Sequence, residues 1–224
     1  MKRIICFVSI LILNLSFVFS AQASIADKKV TIKDRSGKSI NVTLKEAALR
    51  ASVPERPLNL VFAYFDRYSK NFDNHQYISV IDFRIHSSKP RFFVINTKTG
   101  AVDALHTAHG RGSDPDHDGM ADRFSNVARS NASSLGFYQI SETYFGKHGY
   151  SVKMDGLSPT NSNARARAVV IHGADYVKPG LAKMGRSWGC PALDRAITKT
   201  TIDKIKEGSL MLIYAPSFEK SGLE

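Results

Sequence analysis

Between Tyr77 and Tyr214 the chain carries six short apolar segments, each bounded by turn residues and each too short for a core helix. They run 77–83, 91–96, 101–107, 136–140, 168–172 and 209–214. Thr97-Lys98-Thr99-Gly100 supplies a turn between two of them. Helical spacing is confined to three places. Lys45 to Arg50 is stopped by Pro54 and Pro57, Leu58 to Ser69 carries an apolar face of Leu58, Val61, Phe62 and Phe65, and Asp194 to Glu207 runs from an N-cap residue to Gly208. Ahead of these, Val30–Ile32 and Ile40–Leu44 alternate like a small hairpin around 34–38. The pattern predicts an α+β, β-rich fold, a mixed and sandwich-like sheet with a few peripheral helices. Two long loops, 109–134 and 173–189, carry no element of their own, a common setting for function.

The first residues read differently. Met1-Lys2-Arg3 is basic, Ile4 to Phe19 is a largely apolar run of 16 residues, and Ala21-Gln22-Ala23 has the A-x-A form of a cleavage site. The run is short of the roughly 20 residues that span a bilayer, so the expectation is a signal peptide over 1–23 and no stable membrane anchor. Residues 24–74 then form an N-terminal hairpin and helical segment, and 75–218 the main domain. Cleavage leaves 201 of 224 residues, takes the formal charge from +11 to +9, and removes Cys6, so that Cys190 is the one remaining thiol. A single cysteine forms no internal disulfide, and two in the full chain exclude a disulfide scaffold. The basic charges are scattered rather than blocked, which argues against nucleic acid and for an anionic envelope polymer as partner.

The densest candidate chemistry lies in His172-Gly173 and, 18 residues after the histidine, Ser187-Trp188-Gly189-Cys190-Pro191-Ala192. A thiolate is the nucleophile, and an ordinary cysteine is mostly protonated at neutral pH. A histidine within reach takes the proton, a helix beginning near Asp194 favours the thiolate, and the amides of Gly189 and Cys190 offer an oxyanion site. The alternative for Cys190 is a small buried apolar residue, and for His172 a satisfied strand-end histidine.

The order His172-Gly173 before Ser187-x-Gly189-Cys190 resembles the signature of the L,D-transpeptidase (YkuD-type) family. Ser134-Leu135-Gly136-Phe137-Tyr138 is similar to that family's earlier glycine-centred strand. Ile171 to Tyr176, Trp188 to Ala192 and Phe124-Ser125-Asn126 look like its divergent murein branch. The resemblance implies an exported enzyme acting on peptidoglycan stem peptides, with Cys190 as acyl-accepting nucleophile, His172 as its base, the Gly173 carbonyl orienting the imidazole and the backbone at Gly189 stabilising the oxyanion. Trp188, Ser187, Arg186 and Tyr138 are the expected substrate-binding residues, no cofactor is needed, and the protein works in the periplasm or cell envelope. Water as acceptor would make the same site an L,D-carboxypeptidase or endopeptidase. Two positions depart from the family pattern. Trp188 stands where a second histidine is usual, and Ala192 where Arg or Asn is usual. Arg186 is the nearest replacement, since on a regular strand over 164–172 Arg165 and Arg167 would face away from His172.

One further motif, Asp114-Pro115-Asp116-His117-Asp118-Gly119 with Asp122, resembles the start of a calcium loop, but its twelfth position is Ser125 rather than glutamate. His109-Gly110-Arg111-Gly112 precedes it as a candidate cleft lining. The expectation is no metal. The competing reading from another class is a non-catalytic, calcium-dependent wall-binding protein.

Overall fold

The computed structural model describes residues 23–221, so the expected leader, Ala23 apart, lies outside the described residues. Two strands, β1 (Lys29–Lys33) and β2 (Ser39–Thr43), form an antiparallel hairpin. Helix α1 (Leu44–Arg50) follows at once, started by a capping box in which the Thr43 side chain accepts from the Glu46 amide and Glu46 accepts from the Thr43 amide. Helix α2 (Glu55–Tyr68) buries Pro57, Leu58, Val61, Phe62 and Phe65, the face its spacing predicts. Hairpin, helices and sheet share one hydrophobic core.

The main sheet has eight strands: β3 (Tyr77–Asp82), β4 (Phe92–Asn96), β5 (Val102–Leu105), β6 (Gly136–Gly146), β7 (Gly149–Gly156), β8 (Val170–Ala174), β9 (Ala192–Asp194) and β10 (Ser209–Tyr214). Their spatial order is β5-β4-β3-β10-β6-β7-β8-β9. The last strand thus inserts at the centre, parallel to β3 and antiparallel to β6. Every residue of β10 is buried, which is why Leu210-Met211-Leu212-Ile213 reads as an unbroken apolar run. Helix α3 (Arg195–Ile205) packs against β8 and is capped by Asp194, whose carboxylate accepts from the Ala196 amide. Helix α4 (Pro216–Ser221) closes the described chain.

Two strand expectations need correction. The segment 164–172 is not a regular strand. It passes through turns, Ala168 has φ +53°, and β8 begins only at Val170. The face argument for Arg165 and Arg167 therefore fails. Strand β7 was absent from the expected set because Lys153 and Asp155 interrupt its apolar pattern, although Val152 and Met154 are fully buried.

The long loop after β5 is fastened to the sheet by a buried polar chain. Arg91 has no exposed surface. Its guanidinium donates to the carbonyl oxygens of Thr107 (2.8 Å) and Ile85 (3.0 Å) and to His109 Nδ1 (2.8 Å). A guanidinium only donates, so His109 Nδ1 is the acceptor and Nε2 carries the proton. Nε2 then donates to Asp114 Oδ2 at 2.9 Å. Burial, and next the Arg91 charge, push the His109 imidazole down to about 4. Burial pushes Asp114 up, but the bonds from His109 and from the Gly119 and Asp118 amides outweigh it and hold the carboxyl below its ordinary value.

A group whose proton affinity falls on folding stabilises the fold above its unfolded pKa, and that stabilisation is lost as pH falls toward the folded value. Stability therefore declines between pH 6.5 and about 4 as the unfolded chain gains the proton His109 refuses. Urea unfolding at pH 7.5 and 4.5 checks this. The loss in the native protein exceeds that in His109→Gln, which keeps a donor and an acceptor but does not titrate, by about 2 kcal/mol. Equal losses would contradict the assignment.

Candidate active site

His172 is the third residue of β8 and is 3% exposed. Its Nδ1 lies 3.0 Å from the Gly173 carbonyl oxygen. A carbonyl only accepts, so Nδ1 carries the proton and Nε2 keeps a free lone pair. A Cβ on Gly173 would stand 3.0 Å from Thr198 Oγ1 and 3.2 Å from the Arg195 side chain, so α3 packs directly behind the histidine. The exposed His148, in the turn joining β6 and β7, lays its ring on the other side, stacked on His172 with centroids 4.2 Å apart. Burial, followed by the charges of His148 and Arg195, holds the His172 imidazole below its ordinary value.

Strands β8 and β9 run parallel with His172 opposite Ala192. Cys190, two residues earlier, thus stands level with Val170 at the start of β8. Its thiol donates to the Ala168 carbonyl at 3.7 Å, an oxygen turned toward it by the left-handed backbone at Ala168. Burial pushes the thiol up, while the Val170 amide and Arg167 oppose the shift. At neutral pH the resting pair is therefore a thiol and a neutral imidazole.

The turn that carries the cysteine is tightly built. Ser187 Oγ donates to the Cys190 carbonyl (2.7 Å) and accepts from the Gly189 amide (3.0 Å). That second bond corrects one expectation: the Gly189 amide is already engaged, whereas the Cys190 amide donates no hydrogen bond among the described residues. Gly189 has φ +122°, and a Cβ there would stand 2.7 Å from the Ala132 carbonyl, so only glycine fits. From the far side, segment 109–111 braces the turn. Ser187 N donates to His109 O and Arg111 N to Ser187 O, both at 2.8 Å. Ser133 Oγ accepts from the Gly110 amide and donates to the Gly189 carbonyl.

The remaining expected residues fall in different places. Trp188 is 74% exposed beside the cysteine. Arg186 turns away, donating to the carbonyl oxygens of Asp114 and Pro115. Tyr138 has no exposed surface, and its hydroxyl bonds Ser134, so it supports the sheet from within and presents nothing to a ligand. Arg165 pairs with Glu142 and Asp155. Arg167 donates to the carbonyls of Ser125 (2.7 Å) and Ala132 (2.6 Å). Asp114, Asp116 and Asp118 bring carboxylate oxygens within 4.8 Å of one another. Asp114 nevertheless spends both oxygens on His109 and on the Asp118 and Gly119 amides, and Asp118 accepts from Met120. The loop is thus organised by its own hydrogen bonds. His148 carried no signal in the sequence, being one exposed histidine in a hairpin turn.

No curated protein matches the chain. Solved structures that match part of the chain include an L,D-transpeptidase from Mycobacterium smegmatis, at 12% identity and TM-score 0.41, matched over 62% of this chain and 59% of that one. L,D-transpeptidase 3 from Mycobacterium tuberculosis with a faropenem-derived adduct is 14% identical at TM-score 0.42, over 62% and 60%. The L,D-transpeptidase of Xylanimonas cellulosilytica is 15% identical at TM-score 0.37, over 77% and 70%. The first two matches therefore span about three fifths of those proteins. A family profile described as the L,D-transpeptidase catalytic domain matches residues 50–214, about three quarters of the sequence and the whole of the site. The chain belongs to the L,D-transpeptidase catalytic domain family.

Proposed function

We propose that the protein is a cysteine acyltransferase that cross-links or exchanges residues on peptidoglycan stem peptides, outside the cytoplasm where that polymer lies. The observation that carries this reading is the His172–Gly173 bond. It holds the proton on Nδ1 and leaves Nε2 free, on the strand at whose start the Cys190 thiol is seated, while burial keeps the imidazole neutral.

The chemistry follows from that arrangement. The thiol turns from the Ala168 carbonyl toward the imidazole, which stands two residues further along β8. Nε2 takes the proton as sulfur forms a bond to the carbonyl carbon of the third stem residue, a diaminopimelate in our reading. The resulting oxyanion sits at the Cys190 amide. Collapse breaks the C–N bond, the imidazolium returns its proton to the leaving nitrogen, and D-alanine departs, leaving a thioester. An amine of a neighbouring stem or a free D-amino acid then attacks the thioester, gives its proton to His172, and releases the thiol as a new amide forms. This is a neutral-pair mechanism, in keeping with a thiol held up and an imidazole held down. Water in place of the amine gives hydrolysis from the same thioester. The +11 charge favours an anionic polymer nearby.

Two outcomes are expected. Incubation with a carbapenem adds the drug's mass to the protein, and Cys190→Ala abolishes the adduct together with D-alanine release from tetrapeptide stems. A native protein with neither adduct nor D-alanine release would overturn the enzyme reading. The pH dependence of carbapenem acylation supplies the second. Activity needs neutral His172, so the acid limb lies below the ordinary imidazole range near 6.5. His148→Ala removes a ring that both shields and repels the imidazolium, so its limb moves to higher pH. An unchanged limb would contradict the stacking's influence.

A further inference from the structure

Ala192 stands where the family resemblance calls for a polar residue to hold the substrate, and the arginines around the site are mostly committed. Arg167 is bound to the loop carbonyls of Ser125 and Ala132, Arg186 to those of Asp114 and Pro115, and Arg195 to Asp175 at 2.8 Å. Arg111 differs from all three. It is exposed, and its guanidinium makes no hydrogen bond or ion pair among the described residues.

Its position is nonetheless closely set. Residues 109–111 are fastened below by the buried Arg91–His109–Asp114 chain and pair with the nucleophile turn through the Gly110–Ser187 bridge. Gly110 packs so closely that a Cβ on it would stand 2.8 Å from Gly189 Cα. The Arg111 amide donates to the Ser187 carbonyl, and the side chain extends over the Trp188 ring with Cζ 5.9 Å from the centroid. The indole, itself 74% exposed, supports a planar cation with its donors free, two residues from the thiol.

We propose that Arg111, held over Trp188, is the substrate-binding residue that recognises the terminal carboxylate of the stem peptide. This rests on the reading of Cys190 as the nucleophile. The carboxylate of the departing D-alanine is three bonds from the carbonyl carbon that Cys190 attacks, so a cation beside the nucleophile turn is where that charge arrives. A guanidinium fork matches a carboxylate in a bidentate pair, and the polar side chain missing at Ala192 is replaced from a different loop.

The test measures binding in a full chain that cannot turn over. With Cys190→Ala as background, calorimetry follows a stem tetrapeptide ending in D-alanine and the same peptide with that carboxylate amidated. The free acid binds about tenfold more weakly to Arg111→Gln, which keeps a flat group on Trp188 without charge, while the amide binds both proteins alike. Arg111→Lys recovers part of the loss, and unchanged thermal unfolding confirms an intact fold. Equal binding of the acid to both backgrounds, or an equal loss for acid and amide, overturns the assignment to Arg111 and leaves the enzyme reading standing. No binding of either peptide to Cys190→Ala overturns the proposal. If the native protein also fails to release D-alanine, the enzyme reading falls with it.

Discussion

A guanidinium with no exposed surface must be hydrogen-bonded, and Arg91 meets that demand by gathering segments that are distant in sequence. It ties the Ile85 and Thr107 carbonyls to His109, and through His109 to Asp114. The consequence reaches the site because residues 109–111 are also the ledge on which Ser187 is seated. Three features then follow from one buried charge: where the acidic loop lies, where the Cys190 turn rests, and where Arg111 points.

The turn that carries Cys190 is built with little freedom. Ser187 Oγ bridges the Gly189 amide and the Cys190 carbonyl, and Gly189 occupies a backbone region closed to other residues by both its φ and the Ala132 carbonyl. On the opposite side, Gly173 O, α3 and the His148 ring define the plane and tautomer of His172. Burial acts on Cys190 and His172 in the same sense, disfavouring charge on the thiol and on the imidazole alike. In the proposed mechanism this favours proton transfer during attack over a standing ion pair.

Much of the sheet was legible in the sequence because its central strands are apolar throughout. The segments read at 77–83, 91–96 and 209–214 correspond to β3, β4 and β10. The sheet's far edge was harder. Strand β7 alternates Val152 and Met154 with charged residues, β9 is only three residues long, and β8 begins late because Ala168 leaves the extended region. At the site, Cys190, His172 and Gly173 stand out by residue type and order. The links that organise them do not, because Arg91 to Asp114 and His148 to His172 are contacts between residues far apart in the chain with no local pattern. The acidic motif illustrates the difference. Its spacing suggests a cation loop, while the folded chain uses Asp114 as the end of a buried hydrogen-bond chain.

The central claim is that Cys190 carries the acyl group. The most direct measurement is to mix the protein with a tetrapeptide stem, quench in acid, digest, and read the mass of the fragment containing Cys190. The expected result is a gain equal to the acyl portion of the stem without its D-alanine, present on that fragment in the native protein and lost in Cys190→Ala. D-alanine released with Cys190 unmodified at every quench time, or an acyl group found on another residue, would contradict it.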